Sequence, residues 1–229
     1  MPAKSAVQFD AGCRRCSRLA GFLEEISSQY PEYHARPVAP FGDPHARLLI
    51  VGLAPGMHGA NATGRPFTGD YAGILLYRTL HEFGFSNHPE SRDRNDGLQL
   101  TGCRITNAVK CLPPQNKPST QEVKCCNRFL AAELDTLPEA GVVLALGKLA
   151  HDAVLRAGAL PLSSWPFRHG VVHLLPNGLQ LVDSYHCSRY NTQTRRLTAA
   201  MFSDIFRLLR SRLANKAVPG PEVGSVERV

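Results

Sequence analysis

Two short segments, Leu48-Leu49-Ile50-Val51 and Val142-Val143-Leu144-Ala145-Leu146, are apolar at every position, and each runs straight into a glycine, Gly52 and Gly147. Successive side chains of a strand point to opposite faces, so a strand without a polar position needs cover on both sides. The fold class that supplies this cover is α/β, a central, mostly parallel sheet flanked by helices on both faces. The flanking segments agree with it. Residues 13–30 carry Leu19, Phe22, Leu23 and Ile26 at helical spacing, and further helices are expected over 74–83, 121–137, 148–157 and 197–213. Further strands are expected over 98–109, 171–175 and 179–184, the last two joined across Pro176-Asn177-Gly178. With 229 residues the chain suits one core, so residues 1–216 read as a single domain, and the Pro- and Gly-containing end, 217–229, as a disordered tail.

In parallel α/β sheets the ligand lies beyond the carboxyl ends of the strands. Three polar segments leave such ends, after Val51, after Ile105 and after Val182, and they are expected to converge on one cleft. The first, from Ala54 to Gly73, reads as a loop of about 20 residues, longer than a compact domain keeps without a function. It holds Pro55, Gly56, Gly59, Gly64, Pro66 and Gly69, but no Gly-Lys-Ser/Thr or GxGxxG pattern, which disfavours a nucleoside triphosphate. What remains is a glycine-lined pocket with one aromatic face, Phe67, suited to stacking on a planar ring.

Composition narrows the surroundings. Lys and Arg total 26 against 19 acidic residues, a formal charge of +7 that leans towards a polyanion. No apolar run approaches the roughly 20 residues of a membrane span, and the first ten residues lack a secretory signal, so a cytoplasmic protein is expected. In a reducing compartment the seven cysteines are free, buried or metal-bound. Cys13 and Cys16 form a CxxC pair, and Cys111 with Cys125 or Cys126 supplies two more thiolates. Four thiolates suit zinc or an iron–sulfur cluster, and the irregular reach from Cys111 to Cys126 favours [4Fe–4S] over a ribbon of two tight knuckles. A thioredoxin-like centre is disfavoured because no strand precedes Cys13. Cys103, on an apolar strand, reads as core.

The sequence resembles the uracil-DNA glycosylase superfamily, specifically its family 5, type B members. The matching pieces are Gly52-Leu53-Ala54-Pro55-Gly56 with His58-Gly59, and Thr63-Gly64-Arg65-Pro66-Phe67-Thr68-Gly69-Asp70. Thr106-Asn107-Ala108-Val109-Lys110-Cys111 with Pro113-Pro114 follows, then Tyr185-His186 with Ser188, Asn191, Thr192, Thr194, Arg196, Leu197 and Thr198. The match spans roughly residues 13–213. It implies a DNA repair enzyme that flips uracil, and other deaminated bases such as hypoxanthine, out of DNA and hydrolyses the N-glycosidic bond. By the same resemblance Cys13, Cys16, Cys111 and Cys126 hold a structural [4Fe–4S] cluster, no nucleotide cofactor or catalytic divalent metal is implied, and the enzyme is a monomer at the nucleoid.

The resemblance also assigns roles. Gly52, Leu53 and Ala54 line the base pocket, Phe67 stacks, Asn107 pairs with the base edge, and Tyr71 helps exclude a C5 methyl. His186 stabilises charge on the departing base. Ala54 stands where many relatives carry an Asp or Asn that positions water. Asn61 matches the place to which type B members move this task, with Asp70 as rival, although an N-cap role suits Asp70 better. Arg189 and Tyr190 replace smaller residues after His186, and Cys187 replaces a proline. Arg189 and Tyr190 are expected to wedge into DNA, with Ser188, Thr68, Arg195 and Arg196 on phosphates, whereas from Arg207 onwards a solvated helix face explains the charge equally well. The rivals are a non-catalytic iron–sulfur or zinc nucleic-acid-binding module and an iron–sulfur redox protein.

Overall fold

The computed structural model describes residues 7–214. The expected tail at 217–229 lies outside the described residues. Six strands form one sheet: β1 (Phe41–Gly42), β2 (Leu48–Gly52), β3 (Cys103–Asn107), β4 (Val142–Leu146), β5 (Val172–Leu174) and β6 (Gln180–Ser184). Their order is β1-β3-β2-β4-β6-β5. The inner four, β3, β2, β4 and β6, are parallel, and β1 and β5 close the edges antiparallel.

The two all-apolar segments are the central pair, buried at every position. Period-2 alternation divides their side chains. Leu49, Val51, Val143 and Ala145 pack in one core with α1 (Ser17–Gln29), α4 (Thr120–Asp135) and α5 (Lys148–Ala157). Leu48, Ile50, Val142 and Leu144 face the other core, under α3 (Tyr71–Glu82) and α7 (Ala199–Ala214). Each fully buried Val, Leu or Ile removes enough apolar surface to contribute about 1.5–3 kcal/mol, so this double cover holds the three layers together. Ser119 and Glu122 form a reciprocal capping box on α4, and Glu122 also binds Arg18 at 2.6 Å, tying α4 to α1.

Several sequence boundaries move. The segment 54–73 contains a one-turn helix, α2 (Ala60–Thr63), ended by Gly64 in the left-handed region, and α3 starts at Tyr71 because Asp70 caps it. The strand expected over 98–109 is only Cys103–Asn107, since Leu100 pairs back with Ser86 before the chain turns at Gly102. Residues 189–193, within the polar segment after Val182, form the short helix α6 (Arg189–Gln193). The Pro-rich stretch before Leu48 hides β1, a two-residue edge strand too short to show a period.

Candidate active site

The tips of β2, β3 and β6 meet as expected at one end of the sheet. Gly52 and Asn107 are register partners at the ends of β2 and β3, and Ala108 and Val109 continue the ladder by donating to Gly52 and Leu53 at 2.9 Å each. Beyond the tips lies a cavity of about 310 Å³ walled by Leu53, Ala54, Phe67, Asn107, Asp70 and His186, with Tyr71, Asn116, Ser188 and Arg189 around it. That volume is at the small end of ligand pockets.

Phe67 has φ of +55°, a conformation that costs a non-glycine residue on the order of 1–3 kcal/mol and persists only when its neighbours enforce it. They do. The Tyr77 hydroxyl donates to the Pro66 carbonyl at 2.7 Å, and the buried Arg65 guanidinium pairs with Asp96 at 2.7 Å and donates to the Arg94 carbonyl. Helix α3 approaches this loop so closely that a Cβ at Gly73 would stand 1.8 Å from the Phe67 carbonyl oxygen. The Phe67 ring then lies over His186, centroids 6.0 Å apart and planes 29° from parallel.

Thr68 corrects the sequence reading. It is fully buried, with its hydroxyl 2.6 Å from that of Ser91 and 3.3 Å from the Pro66 carbonyl, so it pins the loop and cannot reach a DNA phosphate. Asp70 caps α3, accepting from the Gly73 amide at 2.9 Å through Oδ1, while also lining the cavity. Burial raises its pKa above the ordinary 3.8, against the lowering pull of the helix-start amides. Asn61 is placed differently. It is fully buried in α2, both amide atoms lack a hydrogen-bond partner, and Ala60 rather than Asn61 lines the cavity.

His186 follows β6, and its Cβ is 3.3 Å from where a Cβ would sit on Gly147, so the start of α5 backs it. Desolvation alone lowers its pKa from 6.5 to about 4, so the ring is neutral at pH 7 and one nitrogen carries a proton to donate. Asn191 fixes the following loop by donating to the His186 carbonyl at 2.8 Å, and Ser188 caps α6. Arg189 and Tyr190 are exposed beyond it, with the Arg189 guanidinium 5.8 Å from the ring centroid of Tyr71, itself exposed. Arg195 and Arg196 are exposed too, the latter 4.8 Å from the Tyr185 ring centroid. Asn116 was missed by the sequence reading. Gln115 and Asn116 both have φ of +56°, a strained pair after Pro113-Pro114, and strain of this kind clusters at ligand sites.

On the α1 side, Cys13, Cys16, Cys111, Cys125 and Cys126 surround one small hollow with Lys110 and Phe129. Burial, then the neighbouring thiols, pushes Cys111 up to about 12, while the Lys110 amide donates to Cys126 Sγ at 3.3 Å. These soft donors fit a metal centre. Among the described residues, the one group of three or more His, Cys, Asp or Glu ligand atoms lying within 4.8 Å of one another is His151, His173 and Asp183.

Among the described residues, no helix is long and apolar enough to cross a membrane. A model of the uracil DNA glycosylase superfamily matches residues 39–210. A type-5 uracil-DNA glycosylase of Thermus thermophilus is 49% identical over 210 residues, covering 90% of this chain and 95% of that protein. A type-5 enzyme of Mycobacterium leprae is 45% identical over 85% of this chain and 89% of its own length, and one of Pyrobaculum aerophilum 41% over 85% and 86%. Matched by this family model over residues 39–210 and by these relatives along most of its length, the chain belongs to the uracil DNA glycosylase superfamily.

Proposed function

We propose that the protein removes uracil, and other deaminated bases such as hypoxanthine, from DNA by hydrolysing the N-glycosidic bond and leaving an abasic site. The observation that carries this reading is the convergence of Phe67, Asn107, His186 and Asp70 on one cavity. Breaking the bond puts negative charge on the base and positive charge on the sugar. Phe67 stacks on the flipped base, and the Asn107 amide offers one donor and one acceptor to its edge. The neutral His186 ring donates to the base oxygen as it gains charge, an interaction worth about 3 kcal/mol at comparable oxyanion sites.

Asp70, rather than the enclosed Asn61, orients the attacking water and faces the sugar cation, using the oxygen not committed to Gly73. Ala54 leaves room beside the base, which supports a broad substrate range. Ser188, Arg189, Tyr190, Arg195 and Arg196 sit where the duplex passes, with Arg189 and Tyr190 filling the gap left by the extruded base. One chain completes the cavity, which supports action as a monomer on DNA. Cys13, Cys16, Cys111 and Cys126 would hold a [4Fe–4S] cluster whose contribution is structural, fastening α1 and the loop after Cys111 to the body.

The test is base release from oligonucleotides carrying uracil, hypoxanthine or thymine. The wild type is expected to release the first two, with Asn107→Ala and His186→Ala slowed by about 10²–10³-fold and Asn61→Ala affected least. A wild type that binds DNA and releases no base refutes the reading in favour of a binding module.

A further inference from the structure

Beneath His186 lies a buried network outside the cavity. Asp183, on β6, is fully buried, and its Oδ1 is 2.7 Å from His151 Nδ1 on α5. Its Oδ2 accepts from the Arg168 amide and from His173 Nε2 on β5, both at 3.2 Å. The other nitrogen of His151, Nε2, is 2.8 Å from the Trp165 carbonyl. Both partners of the His151 ring are therefore acceptors, and an imidazole donates from both nitrogens only when it carries two protons. Burial opposes that charge, but Asp183, then the Trp165 carbonyl and Asp152, outweigh it and the pKa rises above 6.5. Asp152 on the same helix is itself paired with Lys148 at 2.7 Å, and the remaining faces of the ring meet Phe167 and His173. With both nitrogens committed, the trio is no free set of metal donors.

The network reaches His186 from two sides. The His151 amide bonds the Gly147 carbonyl at 3.1 Å, and Gly147 is the residue on which His186 rests. On the other side, Asp183 holds the Arg168 amide. The next residue, His169, accepts from the Tyr185 amide at 3.1 Å and stacks on the Tyr185 ring with centroids 4.8 Å apart. Tyr185 directly precedes His186. We infer that His151, clamped between Asp183 and the Trp165 carbonyl, is a positioning residue that sets the His186 ring against the departing base.

This inference rests on the uracil-excising reading, and its test separates the two. Full-length protein labelled with ¹⁵N-histidine is titrated by NMR, and single-turnover excision at saturating enzyme is followed on uracil DNA at the same pH values. At pH 6.5 most His151 rings are expected to be protonated at both nitrogens. As pH rises and His151 loses its proton, the His186 ring signal shifts and excision slows along the same curve, with the fold intact by circular dichroism. His151→Gln is expected to cut the excision rate constant at least tenfold while the Kd for abasic-site DNA changes less than twofold. A His151 that is mostly neutral at pH 6.5, or a folded His151→Gln variant with wild-type excision, overturns the inference. If that variant does not fold, the wild-type titration decides, and excision that stays flat while His151 deprotonates overturns it. If the wild type releases no base, the functional reading fails, and a His186 signal that ignores the His151 titration overturns the positioning role separately.

Discussion

Replacing Gly52 by alanine adds one methyl group at the end of β2, where Asn107 and Phe67 close over the backbone. The new Cβ would stand 2.4 Å from Asn107 Oδ1 and 2.6 Å from Phe67 Cζ, about 1 Å inside the 3.4 Å at which ordinary contact begins. The strand cannot retreat, because Gly52 is paired with Asn107 and its carbonyl accepts from Ala108. The two side chains must move instead, and they are the pair proposed to read and stack on the base. Overpacking of this kind costs about 1–3 kcal/mol, or about 2–12 °C in Tm for a domain of this size. A 1 Å displacement of positioning groups costs on the order of 10² in rate. Thermal melting and single-turnover release of uracil from a labelled oligonucleotide measure both. A Gly52→Ala protein with wild-type rate and wild-type Tm would refute the claim that these side chains meet over Gly52.

Asp70→Asn keeps an N-cap of similar quality, so stability is expected within about 0.5 kcal/mol while excision falls on the order of 10²-fold or more; the wild-type rate should also decline as acid protonates Asp70, and that decline should vanish in the variant. The unfolded chain protonates His186 near 6.5 and the folded protein only near 4, so stability present above pH 6.5 is lost as pH falls towards 4, by at most about 3 kcal/mol; urea midpoints between pH 7 and 4.5 should show this, and His186→Gln should flatten it. The purified protein should be brown with iron and sulfide, and stripping the cluster should expose residues around α1 to proteolysis; a colourless zinc protein with the same fold would contradict the cluster assignment.

The parallel core was legible because Leu48–Val51 and Val142–Leu146 have no polar position, a pattern that admits few architectures. The convergence of the three tips followed from that topology. What sequence could not give was direction at the level of single side chains. Asn61 and Asp70 are nine residues apart on one loop, and only the one-turn helix α2 and the cap on α3 decide that Asp70 lines the cavity while Ala60 screens Asn61. Thr68 was read as a phosphate contact because its hydroxyl can hold one, yet the turn around Phe67 drives it inward onto Ser91. Asn116 lies on an irregular turn with no period to read, and the only signal was its place after two prolines. The His151–Asp183 network escaped for another reason. Its members come from α5, β5 and β6, and no local pattern links them.

The central claim is that the three strand tips enclose an everted base. A crystal structure with duplex DNA carrying a non-hydrolysable 2′-fluoro-deoxyuridine addresses it most directly. The account predicts uracil inside the 310 Å³ cavity, stacked on Phe67, with its edge on Asn107 and one carbonyl oxygen within hydrogen-bond reach of His186. Uracil left stacked in the duplex, or bound elsewhere on the protein, would contradict it.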